Sequence, residues 1–276
     1  MLASSPLHVR TQGVFILRSA FHNWAIVALL ALSTQAHALN GASTGNSYVH
    51  LGTIGTGGLD GVLIAPNWVL TAGHVAQTGI TFSSNLGSAT VDAAYRAPGF
   101  GFPANDLALL HLSSAIDADS FPTLNAEVID NDSAAEGLPV TIAVTAQSGT
   151  QSHAYTTVDA AFDEVALEGD STATVWYLAT GSAANGSPYL QGGDSGGALF
   201  AGQVGSSQSL LIGIASATDG SLSYFVQPGA YREWLDATLA TSGQRALWNV
   251  SAVPEPSAAW LLCAGLAVLA WRRRLD

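Results

Sequence analysis

The chain of 276 residues contains no lysine; all eight of its cations are arginine, set against 20 Asp and Glu, and only 10% of its residues are charged. So few cations exclude a nucleic-acid partner, which needs a basic face. Cysteine is almost absent as well. The one residue, Cys263, lies near the C-terminus, so residues 39–252 hold no disulfide and must rely on packing. Runs of helical periodicity are also scarce. What is abundant is apolar residue, 48% of the chain, enough to bury a core in one or two domains and to exclude global disorder.

The arginines are unevenly placed. Arg10 and Arg18 stand in the N-terminal segment and Arg272, Arg273 and Arg274 at the C-terminus, which leaves residues 39–252 with Arg96, Arg232 and Arg245 against 18 acidic residues. The body is therefore strongly acidic, with a formal charge of −15. Residues 1–38 run from a basic, polar start through the apolar stretch Trp24–Leu32 to Ala36-His37-Ala38, an A-x-A site. This order predicts a secretory signal peptide, because the apolar run is too short to span a bilayer comfortably.

The C-terminus has its own grammar. Val253-Pro254-Glu255-Pro256-Ser257 precedes an apolar run from Ala258 to Trp271, and three arginines follow. A short motif, a hydrophobic helix and a basic stop resemble the PEP-CTERM signal of Gram-negative bacteria. The resemblance implies handling by an exosortase-type sorting enzyme and membrane contact through the C-terminal helix, at least transiently. A plain tail anchor would also place the body outside the cytoplasm, since the basic residues stay inside. The expected location is thus the cell envelope or the extracellular space.

Between these ends, short apolar runs alternate with Gly, Ser, Thr and Asn, which predicts an all-β body. Val62-Leu63-Ile64 and Trp68-Val69-Leu70 flank Ala65-Pro66-Asn67 and read as a hairpin; residues 107–112, 172–178 and 210–215 read as further strands. Tyr231, Trp234, Leu235 and Leu239 fall on one face of a helix that would close the body. Residues 118–135, rich in turn formers and acids, read as a link between two halves.

One segment carries chemistry. Gly193-Asp194-Ser195-Gly196-Gly197 places a serine in a turn whose backbone N–H groups can converge as an oxyanion hole. The same pattern satisfies the nucleophile elbow of α/β-hydrolases. That fold needs its histidine after the serine, and none of the seven histidines follows Ser195. An Asp60, His74, Ser195 order would suit subtilisin-like enzymes, whose long helices are missing. The remaining order is His, Asp, Ser: His74 follows an apolar strand in Leu70-Thr71-Ala72-Gly73-His74, and Asp106 precedes one in Asn105-Asp106-Leu107-Ala108.

In these three motifs the chain resembles the trypsin/chymotrypsin-type serine proteases, from about Gly61 to Leu239. The resemblance implies two six-stranded antiparallel β-barrels with a C-terminal helix and an active site between them. It further implies Ser195 as nucleophile, His74 as general base, Asp106 as its orienting carboxylate, and the N–H groups of Gly193 and Ser195 as oxyanion hole. Tyr189, Ser216, Thr218 and Gly229 correspond to substrate-binding positions, with Tyr189 at the floor of the primary pocket. Without an Asp there, cleavage after Arg or Lys is not expected, and a small or medium apolar side chain is. Cysteines common in animal members are replaced by Val75 and Gln191, and the usual Ile-Val-Gly-Gly start is missing. Signal cleavage after Ala38 would expose Leu39-Asn40-Gly41 as a substitute, its amine pairing with Asp194.

The expected organisation is a signal peptide at 1–38, an N-terminal barrel at 39–125, a C-terminal barrel with its helix at 126–250, and the sorting signal at 251–276. No metal or organic cofactor is expected; the pairs Asp117/Asp119 and Asp130/Asp132 lack a full calcium loop. His50, His111 and His153 receive no role. Peptide or protein substrates are the expected partners. The rival readings are a catalytically silent, protease-like binding module of the envelope or extracellular matrix and an esterase using the same residues.

Overall fold

The structure is a computed structural model that describes residues 39–44, 48–130, 132–145, 149–166, 172–181 and 186–249. The signal-peptide run and the C-terminal apolar run lie outside the described residues. Among the described residues no helix is long and apolar enough to cross a membrane.

The first strand, β1 (Ser43–Thr44), is followed by β2 (Leu51–Ile54), β3 (Leu59–Ala65), β4 (Trp68–Thr71), β5 (Thr81–Ser84), β6 (Gly87–Arg96) and β7 (Ala108–Leu112). Strands β2 to β7 close into a six-stranded barrel in the order β2-β3-β4-β7-β6-β5. The expected hairpin is the β3–β4 pair, with Pro66-Asn67 at the turn and a register shift between Leu63 and Ala65. Both faces of β3 and β4 are buried. Leu63 and Val69 point into their own barrel with Phe82, Val91 and Leu110, whereas Val62, Ile64 and Leu70 pack toward Phe200, Ile214 and Leu235 of the other half. Burial on both faces is why these segments read as continuous apolar runs.

The second half contains β8 (Thr123–Asn125), the short helix α1 (Asp132–Ala135), β9 (Pro139–Thr145), β10 (Gln151–Ala166), β11 (Thr172–Thr180), β12 (Ala198–Ala201), β13 (Leu210–Thr218), β14 (Ser223–Val226), helix α2 (Arg232–Ala240) and β15 (Leu247–Asn249). Strands β9 to β14 form the second closed barrel, sealed by the β12–β13 pairing. Two short strands from within residues 39–125 join this sheet: β1 pairs with β10, and β8 runs parallel to β13 and β15. Residues 118–135 are thus a link that contributes a strand and a helical turn. Short Asn- and Asp-rich segments hide such pairing, because a three-residue strand has no readable period.

Helix α2 follows a 3-10 turn at Pro228–Tyr231 and buries Leu235 and Leu239, as the i, i+4 spacing predicts. The chain beyond it ties back to the first barrel. Gln244 Nε2 donates to Asn67 Oδ1 at 2.9 Å, and Trp68 Nε1 donates to Ser242 Oγ at 2.8 Å. His50, fully buried, adds a second tie: Nε2–H donates to Ser120 O at 2.7 Å and Nδ1 accepts from Ser207 Oγ at 2.8 Å. Burial lowers its pKa, consistent with a neutral ring that fills a structural position.

Candidate active site

His74 lies in a tight turn just after β4, where Val75 N–H returns to Ala72 O at 3.1 Å. Asp106 immediately precedes Leu107 and β7, and its carboxyl is completely buried. Asn105 before it adopts a left-handed backbone, φ 51°, which an Asn tolerates better than most residues. Its amide is held at both ends: Nδ2 donates to Gly99 O at 3.0 Å, and Oδ1 accepts from Tyr231 Oη at 3.0 Å. The pairing of β4 with β7, Thr71 opposite Ala108, brings the two strand ends together.

The result is a line of hydrogen bonds. Asp106 Oδ1 accepts from the backbone N–H of His74 at 2.8 Å, and Oδ2 faces His74 Nδ1 at 2.8 Å and accepts from Ser216 Oγ at 2.5 Å. A buried carboxyl with three donors meets the usual condition for carrying charge in a core. With Nδ1–H directed at Asp106, His74 Nε2 is left to accept from Ser195 Oγ, 3.0 Å away. A serine hydroxyl in that position can lose its proton to the ring as it attacks. Tyr177 closes the buried side, donating to Pro103 O at 2.7 Å and lying 3.0 Å from Ser216 Oγ. Burial, and then the charge of Asp106, push its phenol pKa up, so it stays a donor.

The turn around Ser195 is held by both barrels. Ser195 O accepts from Asp60 N–H of β3 at 2.8 Å, and Gly196 N–H donates to Ala215 O of β13 at 2.8 Å. Gly196 has φ +88°, and a Cβ there would sit 1.8 Å from Asp60 O, so only glycine fits. Gly193, at φ +109°, is the other strained position in the turn. Among the described residues neither the Gly193 nor the Ser195 N–H has a hydrogen-bond acceptor.

Two buried acids lie behind the turn. Asp194 is 3% exposed; burial pushes its carboxyl up to about 7, against the opposing pull of the Gln191 and Leu39 backbone N–H donors. Asp60 is completely buried; Oδ2 accepts from Thr145 N–H at 2.8 Å, while Oδ1 has no partner among the described residues. Burial pushes the Asp60 carboxyl well above the usual carboxylate range, the Thr145 N–H opposes this, and the charge of Asp194 adds to it. The folded chain therefore keeps a proton at Asp60 that the unfolded chain releases near pH 4. Stability is lost as pH rises from there through the folded pKa. Asp60→Asn, uncharged and nearly isosteric, is expected to raise Tm at pH 8 by several degrees, at about 2–4 °C per kcal/mol, with little change at pH 4. Thermal melts at the two pH values check this.

The positions expected to bind substrate do not all converge. Ser216 is buried and spends its hydroxyl on Asp106. Thr218 lies at the end of β13, opposite Ser223, with Oγ1 donating to Leu222 O at 2.8 Å. Tyr189 bridges to Asn40 through its backbone, and its phenol oxygen accepts from Asn40 Nδ2 at 2.9 Å. Its hydroxyl is thus engaged with the N-terminal segment. Gly229 belongs to the 3-10 turn after β14 and faces the link: a Cβ there would meet Asn125 O and Glu127 O at 2.9 and 2.8 Å. Gly229 is therefore displaced from Thr218. Strand register puts the buried Ser223 there, its Oγ accepting from Leu190 N–H at 2.8 Å. Phe102 is the other unforeseen neighbour: 45% exposed, its ring stands edge-on to His74 at 5.3 Å. A lone Phe-Pro pair before Asp106 carries no sequence signal for that role.

Two barrels with this site between them have a counterpart among solved structures. Neuropsin, a serine protease expressed in the limbic system of mouse brain, is similar with a TM-score of 0.52 at 18% identity, over 70% of this chain and 95% of that one. At that identity the likeness speaks for the fold. The sequence itself matches the model of the trypsin family over residues 44–235, well over half of the chain. The chain belongs to the trypsin family. This trypsin-family domain is followed by a match to the PEP-CTERM protein-sorting motif at residues 252–274, which implies export to the cell envelope. No curated protein matches the chain.

Proposed function

We propose that the chain is an exported serine endopeptidase that hydrolyses peptide bonds through Ser195, His74 and Asp106. The observation that carries this reading is the unbroken line from the buried Asp106 through His74 to Ser195 Oγ, at 2.8 and 3.0 Å. Ser195 Oγ attacks the scissile carbonyl carbon as its proton passes to His74 Nε2, and Asp106 stabilises the imidazolium. The carbonyl oxygen becomes an oxyanion, which the unengaged N–H groups of Gly193 and Ser195 are available to bind. His74 then delivers its proton to the leaving amine, and water attacks the acyl-enzyme through the same base. No step calls on a metal or organic cofactor.

Digestion of a diverse peptide library by the exported protein, beside its Ser195→Ala variant over pH 6 to 9, tests this. Cleavage lost in the variant supports a serine endopeptidase; cleavage retained overturns it. Comparing amide and ester substrates separates it from an esterase, and silence in both proteins favours a binding module. With Tyr189 occupied by Asn40, cleavage after small or medium apolar residues is expected.

The sorting motif supports a second part of the reading, processing by an exosortase-type enzyme that cuts near Pro254-Glu255-Pro256. Replacing those three residues by alanine is expected to leave a full-length C-terminus, read by intact mass. Normal processing of that variant would contradict it.

A further inference from the structure

Arg96 is one of three arginines in a body with 18 acidic residues, yet among the described residues no carboxylate pairs with it. Both arms of its guanidinium are spent on backbone. Nε–H donates to Gly73 O at 2.8 Å and Nη2–H donates to Ala76 O at 2.7 Å. These carbonyls lie on either side of His74. The Arg96 Cζ stands 5.2 Å from the centre of the Phe100 ring, and that ring fills the space beside Gly73, where a Cβ would meet it at 2.6 Å.

A single turn leaves its carbonyls short of partners. Among the described residues Gly73 O is otherwise met only by Ala76 N–H, at 3.3 Å. The ring and the backbone N–H of His74 are held by Asp106 from one side, so the conformation of the turn depends on what holds its carbonyls from the other. No cysteine in the body can tie this turn covalently. Strand pairing makes the arrangement rigid: Arg96, the last residue of β6, is opposite Ala108 of β7, two residues after Asp106. One strand pair thus delivers the carboxyl to the ring of His74 and the guanidinium to its backbone.

We propose that Arg96 is a positioning residue for His74, a two-pronged clamp that sets the Nε2 to Ser195 distance. The inference rests on the reading of His74 as the base. A planar guanidinium holds two carbonyls at once through donors in a fixed fork, whereas a lysine ammonium is a point charge on a flexible stem with no such fixed geometry. Loss of the clamp lets the turn sample other conformations, which lowers the rate of proton transfer without removing any group that touches substrate.

The test compares exported wild type, Arg96→Lys and Arg96→Met, each normalised to active sites titrated with a serine-reactive phosphonate. We expect kcat on a cleaved peptide to fall by about 10- to 100-fold in Arg96→Met with KM within about 2-fold, as for a small misplacement of a reacting group. Arg96→Lys should recover only a minor part, and the rate of phosphonate labelling should fall in parallel. Equal kcat per titrated site in wild type and Arg96→Met overturns the inference, as does full recovery by Lys. Should Arg96→Met fail to fold, Arg96→Lys decides alone: kcat reduced at unchanged KM supports the clamp, and wild-type kcat refutes it. A wild type without Ser195-dependent cleavage overturns the protease reading itself, a distinguishable result.

Discussion

Replacing Ser195 by alanine is expected to lower kcat by about 10⁴- to 10⁶-fold while leaving the fold intact. The magnitude follows from what is lost: the one hydroxyl set 3.0 Å from His74 Nε2, at the end of a hydrogen-bond line that begins on a buried carboxyl. Water replacing that hydroxyl would have no fixed position, so the advantage of an oriented nucleophile disappears. Residual hydrolysis would come from the Gly193 and Ser195 N–H groups, which alanine leaves in place. Folding should survive because the Ser195 side chain is only partly buried and its turn is held by backbone bonds to Asp60 and Ala215. Circular dichroism and peptide digestion read the two expectations independently. A variant that cleaves like the wild type would remove Ser195 from the chemistry.

The second large effect concerns a chain that begins at Leu39, the start proposed for the mature protein. Leu39 is 3% exposed and packs with Leu190, Ile142 and Val144, and Asn40 N–H donates to Tyr189 O at 3.1 Å. The Leu39 N–H already serves the Asp194 carboxyl, which burial still pushes up to about 7. Cleavage after Ala38 would turn that N–H into an ammonium group, whose ordinary pKa lies near 8. The new charge lowers the pKa of Asp194 and makes a buried ion pair beneath the Gly193–Gly197 turn. Denying a buried charge its partner costs about 3–5 kcal/mol, so one extra residue before Leu39 is expected to cut kcat/KM by about 10²- to 10⁴-fold. In a chain that begins at Leu39, activity should also decline as rising pH deprotonates the amine and leaves the carboxylate unpaired. Equal kcat/KM for the two starts would show that Asp194 needs no amine.

Much of this site is legible in residue types because its chemistry is local. Gly193 and Gly196 are needed where the backbone turns to positive φ, Gly196 also lying hard against Asp60 O, and the glycine-flanked serine records that need. His74 and Asp106 stand at strand ends, which apolar runs mark clearly. Arg96, Ser223 and Phe102 leave no such trace. Their contacts depend on strand register, on a turn after Leu222 and on the course of residues 97–106, none of which has a period. Gly229 shows the converse: the strand before it ends at Val226, and the register sets Ser223 rather than Gly229 opposite Thr218.

Amino-acid order alone determined the all-β body, the single closing helix, the apolar ends and the order of histidine, aspartate and serine. These follow from hydrophobic periodicity and from turn residues, which act within a few positions along the chain. Only the tertiary structure decided that Asp60 of β3 is a buried acid behind the nucleophile turn, and that Arg96 grips the turn of His74. It also decided that β1 and β8 belong to the second sheet. Those are contacts across barrels and between strands distant in sequence, where register and closure select the neighbours of each side chain.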